Sequence, residues 1–302
     1  MCGFAGYAGE REYDTSVIRK MTDKIRHRGP DSQDAFIEGK VGLGFVRLSI
    51  IDLEGGSQPM FNEDKNLVLI FNGELYNFQD IRKELVEAGH VFTTHTDSEI
   101  LLHGYEEWGK EGLLGRLRGM FAFVIFDRTK KTLFGARDHF GIKPFYYYHK
   151  DGTFLFGSEI KSFLAHPDFQ KELFEEKLPD FMTFGCIPGA ETFFRNVYKL
   201  LPGHYFTYEE GKLTVSTYWE PTFDINENQT IESVADKLDG LLEDSIDKHI
   251  IADVPVCSFL SSGVDSSYVA YELKDKVDLT TFTIDFVEQK YSEAPHAKEL
   301  AD

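Results

Sequence analysis

The sequence predicts an α+β layered fold of antiparallel sheet with helices packed on it over roughly the first 200 residues, followed by the start of a parallel α/β sheet. Three observations carry this. Four strand-like runs follow one another at 120–127, 132–137, 144–149 and 153–156, separated by short links such as Asp151-Gly152, which favours an antiparallel meander. Residues 216–230 are polar, contain a proline and have no periodicity, so they read as a linker between residues 2–215 and 231–302. Beyond them the pattern changes to strand, glycine-containing loop, helix and strand, the opening of a parallel sheet.

The elements follow in order. Residues 3–7 are short, Gly-rich and apolar, as in a buried first strand. Val17, Ile18, Met21 and Ile25 recur at three and four, predicting a helix over 15–28 that Gly29-Pro30 stops. Residues 41–51 are strand-like, with Gly55-Gly56 as the turn. The run 67–71 is continuously apolar and bounded by Asn72-Gly73, which predicts a buried strand ending in a tight loop. Helices are expected over 78–88 and 97–108. After the linker, Ile231, Val234, Leu238, Leu241, Leu242, Ile246 and Ile250 form a helical stripe. Strands are expected at 254–260 and 279–285, with helices at 264–273 and 294–302. Two strands are too few for an α/β domain, so the second domain is expected to be truncated. No internal repeat is evident.

A length of 302 residues fits about two domains of ~150 residues each. With 42% hydrophobic and 27% charged residues, the chain reads as globular, which excludes wholesale disorder and collagen-like fibre. A net charge of −19 would repel a phosphate backbone, so no general nucleic-acid binding is expected, although an anion site built from backbone N–H groups stays compatible. There is no apolar run long enough to span a membrane and no secretory signal at the start. The cysteines, Cys2, Cys186 and Cys257, are odd in number, far apart and form no CxxC. They point to a reducing cytoplasm, and the histidines show no metal-ligand spacing. No metal ligands are therefore assigned.

Cys2 carries the most chemistry. Once Met1 is removed, one residue holds both a thiol and a free α-amine. The amine's pKa of about 7.7–8.0 lets it accept the thiol proton, directly or through water, so nucleophile and base come without a histidine. On position alone, a small buried apolar cysteine is the more ordinary reading.

Further motifs weigh on that choice. Cys2-Gly3-Phe4-Ala5-Gly6, Arg26-His27-Arg28-Gly29-Pro30-Asp31, Arg47-Leu48-Ser49-Ile50, Phe71-Asn72-Gly73-Glu74-Leu75-Tyr76-Asn77, Thr96-Asp97-Ser98-Glu99 and 136–144 (ARDHFGIKP) occur in that order. Together they resemble the glutaminase domain of class II glutamine amidotransferases, of the N-terminal-nucleophile type, over about residues 2–205. The resemblance implies an αββα sandwich of antiparallel sheets. It implies Cys2 as nucleophile, with the Asn72 side-chain amide and the Gly73 N–H as the oxyanion hole. Arg47 matches the partner of the glutamine α-carboxylate, Glu74 and Asp97 match acceptors for its α-ammonium, and Leu48, Ser49, Ile50 and Ile51 complete the glutamine site. His27 and His139 read as structural.

In the second domain, 259–267 (FLSSGVDSS) lies between strand and helix, where small residues leave backbone N–H groups for a polyphosphate. It is not a Walker A loop; it resembles the pyrophosphate loop of ATP pyrophosphatases, with Ser262 where glycine is usual. If that position needs φ > 0, serine is strained there. The resemblance implies ATP contacts from Leu260, Ser261, Ser262, Gly263, Asp265, Ser266 and Ile284, with Mg²⁺ accompanying the nucleotide through ligands not identified. A class II glutaminase joined to such a loop is similar to the glutamine-hydrolysing asparagine synthetases. That family adenylates the aspartate β-carboxylate and displaces AMP with ammonia moving internally from the glutaminase site. Residues 140–148 read as a core strand rather than as a lining of that route. The implied partners are glutamine, aspartate and ATP, with a homodimer left open. Amidation of another carboxylate, or a truncated glutamine-binding product without synthetase activity, stays open as well.

Overall fold

Every residue of the first strand, β1 (Gly3–Ala8), is buried, which demands cover on both faces of its sheet. Phe4 and Ala8 face a core between two sheets, while Ala5 and Tyr7 face the opposite way, as the period of a strand dictates. The structure, a computed structural model, describes residues 2–50, 52, 55–225, 228–286 and 292–301. The chain divides into two units, Met1–Thr222 and Phe223–Asp302.

In the first unit, β1 pairs antiparallel with β3 (Val41–Arg47) on one side and β9 (Thr153–Gly157) on the other. Together with β2 (Ser32–Glu38), β8 (Tyr146–Lys150) and β10 (Val197–Lys199) they form a six-stranded sheet in the order β10-β8-β9-β1-β3-β2. The second sheet holds β4 (Met60–Phe61), β5 (Leu67–Leu75), β6 (Gly119–Asp127), β7 (Thr132–Arg137), β11 (His204–Glu209) and β12 (Lys212–Thr217), in the order β12-β11-β7-β6-β5-β4. Phe4, Phe45, Ile70, Val124, Phe154, Phe156 and Phe206 fill the space between the sheets. Outside the first sheet, α1 (Thr15–Asp23) buries Ile18 and Met21 against β1 and β3; Asp14 caps it by accepting from the Ser16 N–H. Outside the second lie α2 (Phe78–Glu87) and α3 (Glu99–Leu114), where Tyr105 stacks on Phe134 at 5.6 Å. The result is an αββα sandwich.

Four local expectations are corrected. The helix expected over 15–28 ends at Asp23, and Arg26–Arg28 form a single 3₁₀ turn; the Thr22 hydroxyl bonds back to the Ile18 and Arg19 carbonyls, which helps close the helix. The strand expected over 41–51 stops at Arg47. Asn72-Gly73 is not a terminal loop: β5 runs on to Leu75, with Asn72 opposite Ala122 and Gly73 opposite Phe121. The four consecutive strands are not one meander, because β6 and β7 belong to one sheet and β8 and β9 to the other. The chain crosses between sheets at 138–145, where the buried Asp138 carboxylate accepts from the N–H groups of Phe121, Phe140, Ile142 and Lys143. Local periodicity cannot show such a crossing.

After α4 (Leu178–Phe184) in the first unit, the second unit opens with α5 (Ile231–His249), started by a capping box in which Thr230 and Ser233 bond reciprocally. A parallel pair, β13 (Cys257–Phe259) and β14 (Thr280–Phe282), flanks α6 (Val264–Leu273), and α7 (Ala294–Ala301) follows. The stripe read from the sequence is real but mostly uncovered: Ile246 is buried, while Ile231, Val234, Leu238 and Leu241 are exposed. The last strand of the first unit continues to Thr217, inside the stretch read as linker.

Candidate active site

One end of the sandwich's central strands opens into a cavity. Cys2, just before β1, lines it with Arg47 at the end of β3, Asn72, Gly73 and Glu74 on β5, and Asp97 just before α3. Leu48 and Ile50 also line it. Ser49 does not; its N–H donates to Asp31 Oδ2 at 2.8 Å. Ile51 lies outside the described residues, as does Met1.

The Cys2 sulfur is held by the Leu48 backbone: the thiol donates to its carbonyl and accepts from its N–H, both at 3.4 Å. Burial pushes the thiol pKa above its ordinary value, while the Leu48 N–H and the charges of Arg47 and Lys143 pull it down. The Arg28 guanidinium donates to the Cys2 carbonyl at 3.0 Å and reaches Glu159 Oε1 at 3.2 Å.

Arg47 is only 8% exposed and donates to the Asp52 carbonyl at 2.7 Å. Gly56 lets it do so, since a Cβ there would lie 2.4 Å from Arg47 Nη2. Asp52 in turn accepts from the N–H groups of Gly55 and His95, each at 2.9 Å, fixing the turn that embraces the guanidinium.

On β5, Asn72 is 1% exposed and its amide Nδ2 makes no hydrogen bond within the protein. A buried donor of that kind carries a desolvation cost of about 1–3 kcal/mol, and such groups concentrate where a ligand supplies the partner. At Gly73, a Cβ would sit 2.3 Å from the Met120 carbonyl, so glycine is required by the approach of β6. The Gln58 side chain accepts from the Phe71 N–H at 2.6 Å, anchoring β5 immediately before Asn72.

Asp97 is 6% exposed and accepts from the Leu75 N–H at 2.9 Å. Burial first, and then the neighbouring charge of Glu74, push its pKa up to about 7 despite that hydrogen bond. A cation placed between Glu74 and Asp97 would relieve this repulsion, which suits an ammonium group.

Lys143 is the charged lining residue that the roles inferred from sequence leave out, although the stretch 136–144 contains it. Its ammonium is buried, and desolvation lowers its pKa against the opposing pull of Glu74 and Cys2. Asp138 and Arg137 hold the turn beneath it: Arg137 donates to the carbonyls of Lys143, Gly141 and Leu200. His27 pairs with Glu159, and His139 packs on Tyr218 and Trp219; neither lines the cavity.

In the second unit, the loop between β13 and α6 is organised by its own serines. Ser261 and Ser266 hydroxyls lie 2.8 Å apart, and the Gly263 N–H donates to Ser261 Oγ at 3.2 Å. Gly263 is the N-cap of α6 and no side chain caps the helix. Ser262 is not in the left-handed region, so serine meets no strain there. Asp265 lies in the first turn of α6, Leu260 is buried at the end of β13, and Ile284 is exposed beyond β14. The N–H groups of Ser261 and Gly263 are thus taken up within the loop, while the first turn of α6 has no side-chain cap.

The comparisons agree with this geometry. A family model described as "Glutamine amidotransferase domain" matches residues 1–219, and one described as "Asparagine synthase" matches residues 237–302. The asparagine synthetase [glutamine-hydrolyzing] 1 of Bacillus subtilis is 40% identical, covering 100% of this chain and 48% of that protein. The asparagine synthetase [glutamine-hydrolyzing] 3 of the same organism is 37% identical over 97% of this chain and 50% of its own length. The chain thus spans about half the length of these curated relatives. Among solved structures, the glutamine phosphoribosylpyrophosphate amidotransferase from B. subtilis aligns with a TM-score of 0.53 at 17% identity, covering 98% of this chain and 70% of that one, a likeness of fold. By its first 219 residues, sandwich and motifs together, the chain belongs to the glutamine amidotransferase family.

Proposed function

We propose that this chain hydrolyses glutamine at Cys2 and that the ammonia serves an ATP-dependent amidation of aspartate to asparagine. The observation that carries the reading is one cavity holding a thiol, a buried unpartnered amide donor, a guanidinium and two carboxylates. That set is complementary to glutamine: Arg47 for its α-carboxylate, Glu74 and Asp97 for its α-ammonium, and Asn72 with the Gly73 N–H for the carboxamide oxygen. Leu48, through its backbone contacts to sulfur, keeps the thiol aimed at the carbonyl carbon.

Burial makes the Cys2 thiol reluctant to ionise, so a base is needed, and the α-amine exposed by loss of Met1 is the base this reading supplies. The thiolate adds to the carboxamide carbon, and the oxygen takes up negative charge facing Asn72 and Gly73. The C–N bond then breaks as the nitrogen receives a proton, releasing ammonia and leaving a thioester. Water adds to the thioester and frees glutamate and the thiol. One oxyanion donor is worth about 2.7–4 kcal/mol in such a step.

For the second half, Leu260, Ser261, Ser262, Gly263, Asp265, Ser266 and Ile284 are proposed to receive ATP, with Mg²⁺ accompanying its phosphates. The Asparagine synthase match over 237–302 and the uncapped start of α6 support this. ATP supplies an adenylate to the acceptor carboxylate, making it reactive toward ammonia. Cys2, Cys186 and Cys257 are all free thiols, in keeping with a reducing cytoplasm. No helix among the described residues is long and apolar enough to cross a membrane.

The test is glutamate release from glutamine by the purified chain and by Cys2→Ala. Release by the parent and its loss in the variant are expected; a variant that retains hydrolysis would remove Cys2 as the nucleophile. Pyrophosphate release that needs both ATP and aspartate tests the second half separately.

A further inference from the structure

Away from the cavity, three segments bring metal-ligating side chains together. Glu63 follows β4, His90 follows α2, and His103 lies in the second turn of α3. One ligand atom from each falls within 4.8 Å of the others. His103 is 1% exposed; its Nδ1 is 3.8 Å from Glu63 Oε1 and 3.4 Å from Glu106 Oε2. The rings of His90 and His103 are 5.1 Å apart. We propose that Glu63, His90 and His103 form a binding site for one zinc ion, with water completing its shell.

The distances suit it. Zinc takes nitrogen at about 2.0–2.1 Å and carboxylate oxygen at about 2.0–2.2 Å, so the edges of a tetrahedral shell measure about 3.3–3.5 Å. The Nδ1–Glu63 separation of 3.8 Å needs a few tenths of an ångström from an exposed, adjustable side chain. Two imidazoles with one carboxylate favour zinc over the oxygen-seeking Mg²⁺ and Ca²⁺.

The outer groups are arranged as a metal site requires. The far nitrogen of His103, Nε2, makes no hydrogen bond but lies 3.6 Å from Glu99 Oε1, so a small ring rotation on metal binding would give it a carboxylate partner. Glu99 is fixed in turn, because both its oxygens accept from the N–H and hydroxyl groups of Thr93 and Thr94. Glu106 Oε1 accepts from Asn62 Nδ2 at 2.7 Å, leaving Oε2 directed at His103. A zinc ion here would tie the β4–β5 turn and the end of α2 to α3, the helix that follows Asp97. The sequence hides the site because its ligands come from three separate segments.

The test uses the full chain after chelator treatment, titrated with Zn²⁺ by calorimetry and with Co²⁺ by visible absorption. One equivalent of Zn²⁺, a tetrahedral Co²⁺ spectrum and a rise in Tm on adding Zn²⁺ are expected. Glu63→Gln and His90→Ala, two substitutions outside the core, should each weaken Zn²⁺ at least tenfold and abolish the Tm rise, with circular dichroism unchanged. Absence of stoichiometric binding would overturn the proposal and leave His103 as an imidazole held by carboxylates alone. So would binding unchanged in both variants, which would place the ion on the thiols, or Mg²⁺ competing at equal concentration.

Discussion

Replacing Asn72 with alanine separates catalytic from structural duty on β5. Its Nδ2 is buried and donates to nothing within the protein, so truncation orphans no partner of that nitrogen. The neighbouring backbone is held by other means: the Phe71 N–H goes to Gln58, and the strand register with β6 runs through Asn72 opposite Ala122. Removing a buried unpaired amide recovers roughly 1–3 kcal/mol of desolvation, offset by the packing lost around a smaller side chain. At about 2–4 °C per kcal/mol for a unit of this size, Tm should move by no more than ~4 °C in either direction. The rate should behave differently. Loss of an oxyanion donor lowers kcat by about 10²–10³, or 2.7–4 kcal/mol, with KM for glutamine nearly unchanged because the contact forms in the transition state. Steady-state glutaminase kinetics and a thermal melt on the same preparation decide it. A kcat within threefold of the parent would refute the oxyanion assignment, and a Tm loss of more than about 8 °C would show the amide to be a structural tie instead.

Two other predictions follow from buried carboxylates. Asp97 has its pKa pushed up to about 7 by burial and by Glu74, so the folded protein holds this proton more tightly than the unfolded chain. The stability this contributes is full below its ordinary value near 3.8 and is lost as pH rises through about 7. Asp97→Asn should therefore raise Tm more at pH 8 than at pH 5. In the parent, KM for glutamine should fall as pH rises through about 7, since the ammonium needs the ionised carboxylate; a flat KM between pH 6 and 8 would remove Asp97 from the site. Asp138→Ala deprives two buried N–H groups, those of Phe121 and Lys143, and two partly buried ones of their acceptor. At about 1–3 kcal/mol for each buried donor, it should cost roughly 2–6 kcal/mol in urea unfolding. A loss below 1 kcal/mol would mean that water replaces the carboxylate.

The sandwich was legible where residue pattern and pairing coincide. The apolar run at 67–71 and the strands at 120–127, 132–137 and 153–156 all appear within a few residues of their expected bounds. Their assignment to two sheets was not legible, because the deciding contacts are the four N–H groups that Asp138 gathers from both sides of the crossing. The cavity residues Cys2, Arg47, Asn72, Glu74 and Asp97 were found by motif, since each motif carries a group whose chemistry fits glutamine. Lys143 escaped because a lysine in a loop usually reads as solvated, and only burial beside Cys2 and Glu74 distinguishes it. Arg28 escaped for another reason: it acts through a backbone carbonyl, which no side-chain pattern reports. In the second unit, the helical stripe was read correctly as a pattern, and of its seven residues Ile246 is the one that is buried.

The proposed nucleophile, Cys2, lies where a physical difficulty arises that the first unit answers. Chain termini fray, and fixing one costs about 1–2 kcal/mol per residue in backbone entropy. With Met1 removed, as the proposed mechanism requires, Cys2 would be tethered covalently from one side, so its position would rest on non-covalent ties. β1 supplies them by sitting inside the sheet, between β3 and β9, with hydrogen-bond partners on both edges. At its start the Phe4 N–H donates to Ser158 Oγ at 3.1 Å and the Ser158 N–H returns to the Phe4 carbonyl at 2.9 Å. Arg28 then takes the Cys2 carbonyl, and Leu48 takes the sulfur from both directions. Arg28 is itself held by Glu159, one residue past Ser158, so the turn after β9 anchors the terminus twice. This makes the 26–31 motif a clamp on Cys2 and on the Leu48 segment, through Arg28 and through Asp31 with Ser49, rather than a source of catalytic groups. The same logic explains why a histidine base is dispensable in this reading: a terminus immobilised this firmly holds its own amine within reach of its own thiol.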